Sequence, residues 1–254
     1  MQNTTKIYYN KKEKLDNPIL IVGLPGIGSV GSLVCEHIKN EAGAKRMGVL
    51  YSSYFPHQAV IQKNGGLHLV NNRFYHFKNR KGRSILILLG DTQADAPTGQ
   101  YEVNSKIVSF VRSLGCGRIY TIGGYSAGSN YIKNPRVLGV ATTKKLKSEL
   151  EKSGVVFGQA YGAIWGSAGL IPAFSKGQGI ESACIMGETN MLEIDANAAK
   201  AVLEILRKIL DIEINMDNIE KIKTETERII RGMEEASKEE GGDQHHKENF
   251  SYIR

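Results

Sequence analysis

No acidic residue occurs between Glu41 and Asp91, and no apolar run approaches the roughly 20 residues of a membrane-spanning helix. Met1-Gln-Asn-Thr-Thr-Lys6 also lacks the apolar centre of a signal peptide. A cytoplasmic protein with no membrane partner is therefore expected. Cysteine is scarce: Cys35, Cys116 and Cys184 are odd in number, far apart and each set in an apolar segment. That pattern predicts buried free thiols and excludes a disulfide framework. Histidine is scarce too, and His57, His68 and His76 have no Cys or acidic residue at metal-ligand spacing, so no metal site is expected. The net charge is +7, yet Lys and Arg are dispersed among carboxylates and no basic run is interleaved with aromatics. This is a solvated surface, and no nucleic-acid partner is expected.

What the chain has is a glycine turn. Ile19 to Val22 is an unbroken apolar run, the mark of a strand buried on both faces of a parallel sheet. Gly23, Pro25, Gly26 and Gly28 break it, and from Ser29 a helical period begins with Val30, Leu33, Val34 and Ile38. Strand, turn and helix make half of a βαβ unit, whose turn is the usual ligand position in open α/β sheets. Gly26-Ile-Gly28-Ser-Val-Gly31 spells a dinucleotide fingerprint, which needs an acid roughly 20 residues on, where the acid-free gap lies. Gly23 to Ser29 has the glycine spacing of a P-loop, but Ser29 stands where the phosphate-binding lysine belongs. The favoured reading is a tight turn that lets helix and sheet pack closely. Gly23, Gly26, Gly28, Ser29 and Asp91 remain the candidate ligand turn, with no cofactor assigned to it.

Further along, Lys6 to Tyr9 predicts an edge strand and Met47 to Tyr54 a second inner strand. Ala59-Val-Ile61 and Leu67-His-Leu-Val70 flank Asn64-Gly-Gly66, a hairpin signal, and Asn72 to Phe77 continues the meander. Ser84 to Leu89 is a buried strand, followed by a helix from about Tyr101 to Leu114. Asp91 and Asp95 lie where a catalytic acid or a magnesium ligand would belong, or where a loop needs helix-capping groups, which is the favoured reading. Arg118 to Ile122 delivers Gly124-Tyr-Ser126-Ala-Gly128, the spelling of a hydrolase nucleophile elbow. No helical period follows it, and the only later histidines are His245 and His246 in a polar tail, so a tight loop is expected and no catalytic residue is assigned. Val137 to Ala141 is a strand, and Thr142 is expected to cap a helix to Lys152. Gly158 to Gly179 is glycine-dense and too apolar for a linker, which predicts close-packed backbone. Ser182 to Met186 is the last strand, and Glu188 with Asp91 is the one carboxylate pair suited to acid–base work.

Two helices are then expected, capped by Asp195 and Asp217. The second places Ile219, Ile222, Thr226, Ile229 and Met233 on three-and-four steps, a narrow seam whose Ile219, Ile222, Ile229 and Met233 are expected at a homo-oligomer interface. Residues from Glu234 to Lys247 are charged and glycine-broken, hence disordered, before Phe250-Ser-Tyr252-Ile-Arg254. The expected organisation is an α/β core over 1–193, a helical appendage over 194–237 and a tail over 238–254. The fold expected is a three-layer α/β/α sandwich with a mostly parallel central sheet.

Asn17-Pro-Ile-Leu-Ile-Val-Gly-Leu-Pro-Gly-Ile-Gly-Ser-Val-Gly31 resembles the amino-terminal signature of the proteasome assembly chaperone 2 family, in its archaeal branch. Tyr54-Phe-Pro56, Leu89-Gly-Asp-Thr-Gln93 and Thr121-Ile-Gly-Gly-Tyr125 agree, in order, from about Pro18 to Glu193. The resemblance implies a non-enzymatic binder of proteasome subunits or of the assembled particle's α-ring. It also keeps alive an alternative, an enzyme using ATP or another phosphorylated ligand at the glycine turn. Proteins resembling this one dock on the proteasome through a terminal hydrophobic–tyrosine–any-residue motif with tyrosine penultimate. Here Tyr252 is third from the end, and Phe250, Tyr252, Ile253 and Arg254 are the partner-binding residues that the resemblance implies.

Overall fold

The computed structural model describes residues 4–10, 15–62, 64–128, 132–160, 162–190 and 194–225. In chain order the elements are β1 (Thr5–Tyr9), β2 (Ile19–Gly23), a 3-10 turn (Ile27–Ser29), α1 (Val30–Glu41) and β3 (Lys45–Ser52). Then come β4 (Ala59–Ile61), β5 (Leu67–Leu69), β6 (Asn72–Lys78), β7 (Ser84–Gly90), α2 (Pro97–Ser113) and β8 (Arg118–Ser126). They are followed by β9 (Val137–Ala141), α3 (Lys144–Lys152), β10 (Val156–Phe157), α4 (Ser167–Gly177), β11 (Glu181–Thr189) and α5 (Ala196–Leu210). Residues 217–225 are helical as well.

Nine strands form one sheet in the order β1-β3-β6-β7-β2-β8-β11-β9-β10, while β4 and β5 form a separate hairpin. The four central strands β7, β2, β8 and β11 are parallel. Their side chains alternate between two apolar layers, which is why these runs carry no polar face. Ile19 and Ile21 of β2 join Ile85 and Ile87 of β7 beneath α1, α3 and α5. Leu20 and Val22 join Leu86 and Leu88 beneath α2 and α4. The three-layer α/β fold is as expected, with the parallel part confined to the centre. β1, β3, β6 and β7 pair antiparallel, and the link over 79–83 between β6 and β7 is too short for a parallel crossover.

The structure corrects several expectations. The glycine-dense region contains α4, a helix begun by Ser167 and broken in periodicity by its own glycines and Pro172. β8 runs on through Ser126, so the serine spelled like a nucleophile elbow lies in a strand. Helix α2 begins at Pro97, with proline in its first turn where no amide need be satisfied. Thr143 caps α3 by accepting from the Leu146 amide, while the Thr142 hydroxyl accepts from the Ser182 amide of β11. Asp195 caps α5 as read, its carboxylate accepting from the Ala198 amide.

The boundary drawn at 193/194 does not separate a core from an appendage. Val202, Leu203 and Leu206 of α5 are fully buried in the same cluster as Val34 and Ile38 of α1. Ile219 is 1% exposed in that cluster, so it is spent on its own chain and unavailable to an oligomer seam. Asn218 also bonds Glu41 at the end of α1, and Lys200 of α5 pairs with Glu220 at 2.6 Å. Ile229, Met233 and the tail residues Phe250, Tyr252, Ile253 and Arg254 lie outside the described residues.

Candidate functional site

The glycine turn, Asp91 and Glu188 lie at or near the carboxyl ends of the parallel strands β2, β7 and β11, spread along one end of the sheet. At the turn, Gly28 has a φ of 62° and Ser29 a φ of 50°, two successive left-handed residues that swing the chain from β2 into α1. The inside of the turn is occupied by protein. A Cβ on Gly28 would lie 2.9 Å from the Thr189 hydroxyl and 3.3 Å from Asp195 Cβ. The Gly28 carbonyl accepts from the Asp195 amide at 2.8 Å, and the Thr189 hydroxyl donates to Asp195 at 2.7 Å. Behind the turn, a Cβ on Gly31 would lie 2.5 Å from the Ile122 carbonyl oxygen of β8, so helix and strand meet backbone to backbone. Gly23 faces the same junction, 2.6 Å from Cys35 Sγ by the same construction. Gly26 is extended and open, with nothing nearer than 3.9 Å.

Asp91 is committed to its own surroundings. One carboxylate oxygen accepts from Arg73, and the other lies 3.0 Å from His68 Nε2 and accepts from the Asn71 amide at 3.1 Å. Asp95 is exposed and takes no part in this cluster. Glu188, buried at the other side, holds Arg136 through Nη2 at 2.5 Å and Nε at 3.0 Å. Those charge-assisted bonds keep the Glu188 carboxyl below the ordinary carboxylate range against the opposing effect of burial. β7 and β11 are separated by β2 and β8, three strand intervals or roughly 14 Å at the usual spacing. Asp91 and Glu188 are not brought together, and each has an arginine of its own.

Gln93, which closes the Leu89 to Gln93 motif but carries no role legible in the sequence, ties this end of the sheet together. Its side-chain amide donates to the Pro25 carbonyl at 2.7 Å and its oxygen accepts from the Ser167 amide at 2.8 Å. The glycine turn is thereby fixed to the start of α4. Arg136 was missed as well, because nothing in spacing links it to a glutamate 52 positions later. Among the described residues, no group of three His, Cys, Asp or Glu stands ready for a metal ion. Cys116 and Cys184 are buried thiols pushed up to about 11 by desolvation, and burial raises Cys35 further. Among the described residues, no helix is long and apolar enough to cross a membrane.

Comparison with known proteins gives one consistent result. The profile of the PAC2 family matches residues 20–235. An uncharacterized protein of Methanocaldococcus jannaschii is 37% identical over 227 residues, 89% of this chain and 87% of that one. The crystal structure of Pyrococcus furiosus PbaB, described as an archaeal proteasome activator, superposes with a TM-score of 0.85 at 36% identity. It covers 92% of this chain and 100% of that one. Pyrococcus furiosus PbaA, described as an archaeal homolog of proteasome-assembly chaperone, gives 0.75 at 25% identity over 94% and 96% of the two chains.

Proposed function

The chain belongs to the PAC2 family, and from that premise we propose that it acts by binding protein, as a non-enzymatic oligomeric partner of proteasome subunits or of the assembled particle's α-ring in the cytoplasm. The observation that carries this reading is its likeness to PbaB along nearly the whole of both chains. The edge where chemistry would be sought supports it. Asp91 and Glu188 are each neutralised by an arginine, and the inside of the glycine turn is filled by Thr189 and Asp195. A phosphate held by the turn would have to displace those contacts, which weakens the reading of an ATP- or phosphate-dependent enzyme.

The contact with the particle is assigned to Phe250, Tyr252, Ile253 and Arg254. An aromatic and an aliphatic anchor there follow a polar, glycine-broken stretch over 238–249. Several such segments on one oligomer add weak affinities through effective concentration. Deleting residues 250–254 and measuring binding to an isolated α-ring by surface plasmon resonance tests the assignment. A loss of at least tenfold in affinity is expected. Undiminished binding by the truncated protein would remove these residues as the anchor, and no binding by either form would remove the proteasome as the partner.

A further inference from the structure

The hairpin formed by β4 and β5 stands apart from the main sheet. Ala59 pairs with Leu69 and Ile61 with Leu67, so these four side chains share one face. That face is turned to solvent: Ile61 is 77% exposed, Leu67 70% and Leu69 66%. The opposite face holds Val60 against the inner core and His68 against Asp91. The Gln62 side chain lies 3.2 Å from His68 Nδ1, and Asn71, just after β5, donates to Asp91. The hairpin is thus tied to the body through its inner face while presenting aliphatic side chains outward. A contiguous exposed apolar face of this kind marks an interaction surface.

Beside it runs a groove of about 710 Å³, bounded by Tyr8 of the edge strand, Tyr51, Phe55 and Pro56, and shared with the hairpin through Ala59 and Leu69. Among the described residues, no carboxylate lines the groove, and Lys6 is its one permanently charged side chain. Knob and hollow therefore adjoin on one face of the same molecule. Under a two-fold axis such a face is complementary to itself, each knob meeting the other copy's hollow. We infer that this face joins two copies of the chain, with the Ile61, Leu67 and Leu69 side chains of each hairpin seated in the groove of the other.

Area and charge favour this occupant. A stable interface buries about 800 Å² per partner, and three aliphatic side chains supply only roughly 300 Å² of that. Seating them in a groove adds its walls to the buried area, which a flat stack of two hairpins would not. A chain of net charge +7 repels its own copies over most of its surface. Ala59, Ile61, Leu67 and Leu69 carry no charge, and Lys6 on the groove wall is exposed, so its ammonium can stay in water when copies meet. The contact between His68 and Asp91 ties the hairpin down before association, which lowers the ordering cost. The inference deepens the oligomeric part of the proposed function and is independent of what the oligomer binds.

The test uses the full-length protein alone. Two variants, Ile61→Asp/Leu67→Asp for the knob and Tyr8→Glu for the hollow, are examined by size-exclusion chromatography with light scattering. Each is expected to weaken self-association at least tenfold and to halve the mass at low micromolar concentration. Mixed in equal amounts they should partly recover the pair, since an intact hairpin then meets an intact groove. Thermal unfolding checks that each variant folds, and Ile61→Ser/Leu67→Ser replaces the charged knob variant if it does not. A monomeric wild-type protein, unchanged masses, or a mixture without recovery would each overturn the contact. Proteasome binding is scored separately, so failure there leaves this result standing.

Discussion

Gly31→Ala sets two effects of opposite sign against each other. In the first turn of α1, alanine gains up to about 1 kcal/mol of helix propensity over glycine. The new methyl group would lie 2.5 Å from the Ile122 carbonyl oxygen, nearly 1 Å inside ordinary contact, and that oxygen belongs to the backbone of a central strand. The strand is held on both sides by β2 and β11, so it cannot withdraw. Helix α1 has to lift instead, and a gap of 0.5–1 Å forfeits roughly a quarter to a half of each dispersion contact along its face. That face is Val30, Val34, Cys35 and Ile38, all fully buried. Overpacking of this sort costs about 3 kcal/mol, the upper end for core insertions. The clash wins, leaving a net loss of about 2 kcal/mol and a fall of about 4–8 °C in Tm for a chain of this size. Gly26→Ala is the control: its backbone is extended and its Cβ would meet only the Leu24 carbonyl at 3.9 Å, so Tm should hold within about 2 °C. Both values come from differential scanning calorimetry. A Gly31→Ala protein as stable as the wild type would refute the view that this turn exists for close packing.

Two further outcomes are expected. Arg136 holds the Glu188 carboxyl below its ordinary 4.5, so the folded state binds that proton less readily than the unfolded one. The pair's stabilisation is therefore complete above about pH 4.5 and is lost as pH falls below it through the lowered folded value. Glu188→Gln should flatten the acid limb of urea midpoints measured from pH 6 to about pH 3, and an unchanged limb would show the pair to be inert. Ile219→Ala should cost about 2–4 kcal/mol in urea unfolding, because the side chain is enclosed by its own chain's core. A loss under about 0.5 kcal/mol would mean that the start of this helix is not docked as described.

The central strands were legible because burial on two faces removes any choice of residue. Ile19 to Val22 and Ile85 to Leu89 are apolar at every position, and each lies in the expected strand. The Asn64-Gly-Gly66 turn likewise marks its hairpin through the positive φ of Gly65. Helix α4 was hidden because its sequence, Ser-Ala-Gly-Leu-Ile-Pro-Ala-Phe-Ser-Lys-Gly, mixes two glycines and a proline into one short helix. It is stabilised by tertiary contacts: Ile171 is buried against the sheet and the Ala168 carbonyl accepts from Thr121. Propensity alone argues against a helix there, and packing overrules it. α5 was legible as a helix but not as a core element. An amphipathic stripe states that something covers it and leaves open whether the cover is the same chain.

The same ambiguity governs the binding surfaces. Catalytic chemistry imposes residue types at definite places, so the loss of an acid beyond Glu41 or of a lysine after Gly28 could be weighed directly. Binding imposes only an apolar face that its own molecule leaves uncovered. In the sequence, Ile61 and Leu67 of the hairpin look no different from Ile219 of the terminal helix, yet the first two face solvent and the third is enclosed. The register of a two-residue-period hairpin sends Val60 and His68 inward, which forces Ile61 and Leu67 outward. Ile219 is enclosed in the cluster that holds α1 and α5, whereas the hairpin has already spent its inner face on the core. Between Ile219 and the hairpin pair Ile61 and Leu67, the side chains left for a second molecule are those whose strands are already anchored on the other side.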